Sequence, residues 1–475
     1  MIQIILLLFP LIFMAKNIIG TVVDNNSNTI AFAEVGIAAT DCFTQSNING
    51  KFELICEKSR LNKTLTASKN GYLINGVVLK NKIYDYKIIL EKVPNSDNAN
   101  YKWIPSIDKK NEKACQNCHQ RMTSQWQKSA HGSTMHNKTF KTIYNSIYKD
   151  DFKSSDGNCA SCHQPIGENE SISCDFCHKV YRVNPKKNLT GTLVMELRRP
   201  HNGEKNILFG SVKDAYTRDD SYSPLYENSK YCASCHSGHF WGDEVYSEYS
   251  QWQNSSYSKQ GISCQKCHMP PQMDETFIVP IEKGGLKRSS GAYHSHSFIG
   301  SKDIEFMKKA LDINVSIKKD MNVLVKLENI GAGHSFPTGS PLHHLLLLID
   351  AKDCENKELI DTNGDKLPPW STKVQRNGSI FAKVYRSSLA YTQNSTHFKS
   401  LYPNPYWRPS QLEYDSRLKA NAPVLKHFAF NKKIKSVTIT LIYRRLYLSW
   451  AKKLNTDIDD DIILYQKTLK GSQCN

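Results

Sequence analysis

Five copies of the pentapeptide Cys-x-x-Cys-His lie between residues 115 and 268. They are CQNCH (Cys115, Cys118, His119), CASCH (Cys159, Cys162, His163), CDFCH (Cys174, Cys177, His178), CASCH (Cys232, Cys235, His236) and CQKCH (Cys264, Cys267, His268). Two thiols three positions apart sit about one helical turn from each other, so both can add to the vinyl groups of one haem. The next residue, His, then faces the iron, and its other ring nitrogen is left for an orienting hydrogen bond. A structural zinc site pairs two Cys-x-x-Cys units and does not require a His after every second Cys. A thioredoxin-like pair needs one copy in a βαβ setting, not five in succession. The motifs therefore imply five covalent haem c groups, with iron held by His119, His163, His178, His236 and His268. Groups of that size supply most of the interior around them. The segment carrying them needs only short helices and loops.

Covalent haem of this kind is attached outside the cytoplasm, and the N-terminus agrees. MIQIILLLFPLIFMA is an apolar run followed by Lys16 and Asn17. It reads as a secretory signal over residues 1–15, with Phe13 and Ala15 before the cut and an uncleaved anchor as the alternative. Its length and Pro10 make it a poor membrane span. The other conspicuous apolar run, LHHLLLLID from Leu342 to Asp350, is short and reads as a buried strand. No membrane span is expected beyond the signal segment. The expected location is the periplasm, or secretion to the outer surface.

Four of the fourteen cysteines lie outside the motifs. Cys42 and Cys56 flank SNING in what reads as a hairpin, facing each other across the turn, so a disulfide between them is feasible. Cys354 and Cys474 either pair or stay free. The net charge of +17 is spread along the chain, with no dense basic arm, helix-turn-helix or zinc-finger spacing. It argues against nucleic-acid binding and suits an acidic redox partner.

Short alternating runs separated by Asn and Gly (IIGTVVD, AFAEVGIAA, GKFELIC, LTASKNGY, YKIILEK) predict a small β-sandwich over residues 16–95. Residues 96–300 hold all the motifs and are expected to be a mainly helical and loop pentahaem core. The second and third motifs are fifteen residues apart, so their haems are expected to be neighbours. Residues 301–475 open on a helical stretch, KDIEFMKKAL. They continue with the strand-like DINVSIKK, NVLVKLENI, LLLLIDAK, SIFAKVYRS and KSVTITLIYRRL, and LSWAKKL reads as a short helix. The fold class is multidomain α+β, with an N-terminal β-sandwich, the pentahaem core and a C-terminal β-rich domain.

Two resemblances add to this. The segment with GTVVD, AFAEVGI, DCFTQSNINGKFEL and KNGY resembles the carboxypeptidase regulatory-like, prealbumin-type module, which implies an accessory role of docking, spacing or stabilising. From about residue 100 onward the chain is similar to the cytochrome c-552/4 family of multihaem cytochromes, related to cytochrome c-554. The matching pieces are YKWIPS, SQWQKSAHG, GENESISCDFCHKV, SKYCASCHSG, YSQWQNSSYSKQGISCQKCHMP, SHSFIG, NIGAGHSFPTG and EYDSRLKANAP. That resemblance implies a chain of stacked haems outside the cytoplasm, mostly with two His ligands each.

Sixteen histidines, less those in the motifs, leave eleven for the second axial positions. His131 in WQKSAH is the first candidate, since the resemblance places an iron ligand there, with Trp126 near by to pack on a haem face. His296 in SHSFIG and His334 in GAGHSFPTG follow, the glycines beside His334 freeing its loop to approach a porphyrin edge. His136, His201, His239 and His294 compete for the rest, whereas His343, His344, His397 and His427 lie in the β-region and read as structural. The stretch DAYTRDDSYSPLYENSKYC before the fourth motif has no His, where the resemblance implies one. One iron is therefore expected to take another ligand or stay open.

Two function classes compete. Irons held by two imidazoles have no room for substrate, which implies an electron carrier between redox partner proteins. A multihaem reductase or oxidase of nitrite, hydroxylamine or sulfur compounds needs one open iron with acid/base groups above it. Pentahaem nitrite reductase agrees in haem count and chain length. That family, however, carries Lys in its catalytic motif and ends in long helices, whereas all five motifs here end in His and the C-terminal region is strand-rich. The carrier is the favoured reading, with no catalytic residue assigned. A structural or adhesive role with incidental haems is the third and weakest.

Overall fold

The structure is a computed structural model that describes residues 15–57, 64–80, 85–145, 159–167, 170–187, 193–216, 219–363, 366–372, 376–388, 401–456 and 461–471. Most of the apolar N-terminal run, His397 and Cys474 lie outside these residues.

Near the N-terminus, strand Ala15–Asp24 pairs antiparallel with Lys51–Glu57 and parallel with Asp85–Leu90. A second sheet runs in the order Phe43–Gln45, Glu34–Ile37, Thr64–Ser68, Asn75–Val78. Alternation sets the faces: Phe52, Leu54 and Cys56 are buried, while Lys51, Glu53 and Ile55 are exposed. The buried set joins Val35, Ile37, Leu65, Ala67 and Ile88 in one apolar cluster. Cys42 and Cys56 form a disulfide with Cα atoms 6.2 Å apart. It does not bridge a hairpin, as the sequence suggested. The strands that follow Cys42 and contain Cys56 belong to different sheets, so the bond clamps one sheet to the other. Cys354 is also disulfide-bonded.

The C-terminal region starts with helix Ile304–Lys309, capped by Asp303, whose side chain accepts from the Phe306 N–H. A three-stranded sheet (Leu311–Lys318, Asn322–Asn329, Val424–Ala429) faces a four-stranded one ordered Gly378–Phe381, His344–Lys352, Ser436–Arg444, Ile462–Lys470. Val323, Val325 and Leu327 pack against Leu345, Leu347, Ile349, Val437, Ile439 and Leu441. The apolar run at Leu342 is thus a central strand, buried on both faces over His344–Ile349. Helix Leu448–Leu454 buries Trp450 and Ala451 in a second cluster with Trp370, Trp407 and Tyr447. Cys159 of the second motif rests on that cluster.

The middle of the chain is mostly short helical turns and loops, as expected, with short strands added. Three two-stranded ribbons run through it: Val180–Lys187 with Leu193–Leu197, Leu208–Gly210 with Asp220–Tyr222, and Gly238–Phe240 with Asp243–Tyr246. Buried, β-branched Val180 and Val183 favour the first ribbon. Among the described residues no helix is long and apolar enough to cross a membrane.

Candidate metal centres

Short helical turns present the motifs. Cys159–His163, Cys174–His178 and Cys264–His268 are α-helical, while the first and fourth motifs start on 3-10 turns at Cys115–Asn117 and Ser229–Ser234. Ser173 caps the third, its hydroxyl accepting from the Phe176 N–H. A helical turn brings both thiols and the following imidazole to one side.

The three histidines nominated for second axial positions each face a motif imidazole. Ring centroids are 6.2 Å apart for His131 and His236, 6.4 Å for His178 and His296, and 6.3 Å for His268 and His334. A metal–imidazole bond of about 2.0 Å, plus about 1.1 Å to the ring centre, puts two rings on one metal about 6.2 Å apart. All three pairs match that spacing. The ring planes cross at 54°, 24° and 13° respectively.

Hydrogen bonds hold five of the motif and facing imidazoles by one nitrogen. Carbonyl oxygens lie 3.2 Å from His119 Nδ1 (Ile278), 2.7 Å from His178 Nδ1 (Phe209) and 2.6 Å from His268 Nδ1 (Ile299). His296 and His334 make the same bond at 3.1 Å to the His294 and Ser335 carbonyls. A carbonyl accepts only, so Nδ1 carries the hydrogen and Nε2 keeps a lone pair for a metal. Burial pushes the imidazoles toward the neutral, ligating form: His131 falls to about 3 and His163, His268 and His296 to about 4. His119, His178 and His334 are lowered for the same reason.

The remaining histidines are placed otherwise. Among the described residues neither His119 nor His163 has a second imidazole paired with it, and the His163 ring stacks on Phe140 at 4.1 Å. His136 and His201 are exposed. His239 lies in strand Gly238–Phe240, and His294 Nδ1 meets the Met269 carbonyl. His343 and His344 are held by the Thr338 and Leu342 carbonyls, and His427 by Asn363. Trp126, expected near a haem face, is buried and donates through Nε1 to the Ile172 carbonyl at 2.6 Å.

The motifs meet in an order unlike their sequence order. The thiols of Cys115 and Cys174 lie within hydrogen-bonding reach, as do Cys162 with Cys235 and Cys232 with Cys264. The first motif therefore adjoins the third, and the fourth adjoins both the second and the fifth. Among the described residues these thiol contacts pair the third motif with the first and the second with the fourth. A polar network that sequence reading missed joins the first and third motifs. Asp175 accepts from the Ile104 N–H at 2.8 Å and from the Tyr101 hydroxyl at 3.0 Å, and pairs at 3.3 Å with the fully buried Lys179. The Ser106 hydroxyl accepts from the Cys174 N–H at 3.0 Å and donates to Glu170. The one legible signal was a carboxylate inside the third motif.

The donor sets therefore fit iron porphyrin: paired thiols, an adjacent neutral imidazole, and in three motifs a second imidazole at the distance one metal requires. Among the described residues no three or more His, Cys, Asp or Glu side chains converge as a tetrahedral zinc site demands.

The crystal structure of a penta-heme cytochrome c552 from Thermochromatium tepidum shares this fold, with a TM-score of 0.55 at 17% identity, over 75% of this chain and 97% of that one. No protein-family model matches the chain. No curated protein matches it.

Proposed function

We propose that the chain is an exported multihaem cytochrome c that carries five covalent haems and passes electrons between redox partner proteins by hopping from one haem to the next. The three imidazole pairs 6.2–6.4 Å apart carry this reading, because each sets a candidate second ligand opposite a motif His at the separation that two metal–nitrogen bonds require. The fold shared with a penta-heme cytochrome supports it. When bound, haem supplies a one-electron couple at its iron.

The chain's residues do the rest. Cys115 and Cys118, Cys159 and Cys162, Cys174 and Cys177, Cys232 and Cys235, and Cys264 and Cys267 each tether one haem. His119, His163, His178, His236 and His268 are the proximal ligands, and His131, His296 and His334 complete three of the sites. His334 belongs to the C-terminal region, so its bond to the fifth site ties that region to the centre. For His119, His178, His268, His296 and His334 the Nδ1 hydrogen bond keeps the ring from turning and raises its basicity as a ligand. The motif contacts support hopping between neighbouring sites, because the first motif lies beside the third and the fourth beside the second and the fifth. The excess positive charge favours an acidic partner and makes its association salt-sensitive. We assign the N-terminal β-module an accessory role and the apolar N-terminal run an export role, which puts the protein in the periplasm or at the outer surface.

One observation favours a second reading, a multihaem oxidoreductase of nitrite, hydroxylamine or sulfur compounds. His119 and His163 lack a facing imidazole among the described residues, and an open iron is what such an enzyme needs.

Intact-mass measurement of the natively matured protein tests the main reading. Five haem additions are expected, and each Cys→Ala pair in one motif removes one of them. A bare polypeptide mass contradicts it. A high-spin fraction that binds nitrite or hydroxylamine and turns it over moves the assignment to the enzyme.

A further inference from the structure

The N-terminal β-module meets the central segment at one apolar cluster. Leu73 and Val93 of the module pack with Ile207 and Phe209, beside Tyr181 and Tyr226. Backbone bonds reinforce the contact. The Ile74 N–H donates to the Asp220 carbonyl and the Ser221 hydroxyl donates to the Tyr72 carbonyl, both at 2.8 Å. Asp220 and Ser221 lie in strand Asp220–Tyr222, which pairs in parallel with Leu208–Gly210, setting Phe209 opposite Ser221.

That same Phe209 presents its carbonyl 2.7 Å from His178 Nδ1. The His178 ring also lies 5.6 Å from Tyr226 at 16°, and the Tyr226 hydroxyl donates to the Cys177 and Val180 carbonyls at 2.7 and 3.0 Å. The residue that orients the third-motif imidazole is therefore packed directly against Leu73 and Val93 of the N-terminal module, and its partner strand Asp220–Tyr222 is tied to the module's backbone. His119 and His268 take their carbonyls from Ile278 and Ile299, both within the central segment. Tyr72 and Leu73 reach across a sequence gap of more than a hundred residues to place one ring.

We propose that the N-terminal β-module is a positioning element for the third-motif site: through Leu73, Ser221 and Phe209 it holds the carbonyl that orients His178, and so sets the ligand strength and redox potential of that site alone. This rests on the haem reading above. An imidazole whose N–H donates strongly to a carbonyl is the more basic ligand and favours the oxidised metal. Loosening the carbonyl weakens that bond, so the site's potential moves in the positive direction.

The test uses the full-length matured protein. In Leu73→Ala, intact mass is expected to show the wild-type haem complement, while redox titration followed spectroscopically shows one transition displaced to more positive potential and the others in place. Ser221→Ala, which removes only the hydroxyl bond to Tyr72, displaces the same transition by less, and Leu73→Met restores it. Ser221→Ala also keeps the test open if Leu73→Ala fails to mature. A full haem complement with every transition at its wild-type position overturns the positioning role. So does a uniform displacement of all transitions, which marks general loosening. Absence of haem mass in the wild type itself overturns the underlying haem reading.

Discussion

In the C-terminal region the interior is made of apolar side chains from two facing sheets: Val323, Val325, Leu345, Leu347, Val437 and Ile439 all reach zero or one per cent exposure. In the central segment the buried positions include Ser106, Ser173, Asp175, Lys179, Ser229 and Ser234, and every motif cysteine stays half-buried. One region closes on itself through the hydrophobic effect. The other arranges thiols, imidazoles and backbone carbonyls around short helical turns, and on the proposed reading covalent haem supplies its interior. The C-terminal β-region rests on apolar packing, and the central segment on polar side chains and carbonyls joined by hydrogen bonds.

The largest expected effect separates the two regions. In a chain produced without haem attachment, limited proteolysis should cut throughout residues 96–300 while leaving the C-terminal β-region resistant. Equal resistance of both removes the contrast.

Acid should reach the β-region through its buried ring. Burial pushes His344 down to about 3, with its Nδ1 held by the Leu342 carbonyl and Arg444 and His343 near by. A folded value below the unfolded one contributes stability that is present above pH ~6.5 and lost as pH falls toward 3. The loss is on the order of 4 kcal/mol, and His344→Leu should flatten the stability–pH profile of the region across that window. A variant profile as steep as the wild type's assigns the acid sensitivity elsewhere.

Cutting the clamp between the two N-terminal sheets comes next. Cys42→Ser opens a loop with a sequence separation of 14 and should cost about 3 kcal/mol in denaturant unfolding of that module. The haem spectra should not change. Smallest is Ser173→Ala, which removes the cap of the third-motif helix and costs about 1 kcal/mol. It should be felt as slower haem attachment at Cys174 and Cys177, read by mass during maturation.

The same contrast explains what was legible in the sequence. Strands with strict alternation, such as GKFELIC and NVLVKLENI, announce themselves because one face must be buried. The strands Ser410–Asp415, Val424–Ala429 and Ile462–Lys470 each bury a single position fully, so no apolar face marks them in the sequence, and they were not read. SIFAKVYRS breaks at Ala382 into two strands of different sheets, a turn no periodicity reports. At the candidate centres, Cys-x-x-Cys-His is a local signal and was fully visible. So were His131, His296 and His334, because their flanking motifs marked them out. The carbonyls of Phe209, Ile278 and Ile299 were invisible, since any residue carries one and only the fold selects which. The adjacency of the first motif to the third and of the fourth to the second was equally hidden. Contacts in space between short turns leave no spacing rule in the chain.

Electron paramagnetic resonance of the oxidised, matured protein tests the ligand pairs most directly. Near-parallel imidazole planes on a low-spin ferric haem give a rhombic signal, and steeply crossed planes a strongly axial one. Pairs at 13° and 24° together with one at 54° should yield two rhombic signals and one axial signal. His334→Ala should convert one rhombic signal to high spin, and His131→Ala should do the same to the axial one. A spectrum unchanged by both substitutions, or one that is high-spin throughout, contradicts iron held between these imidazoles.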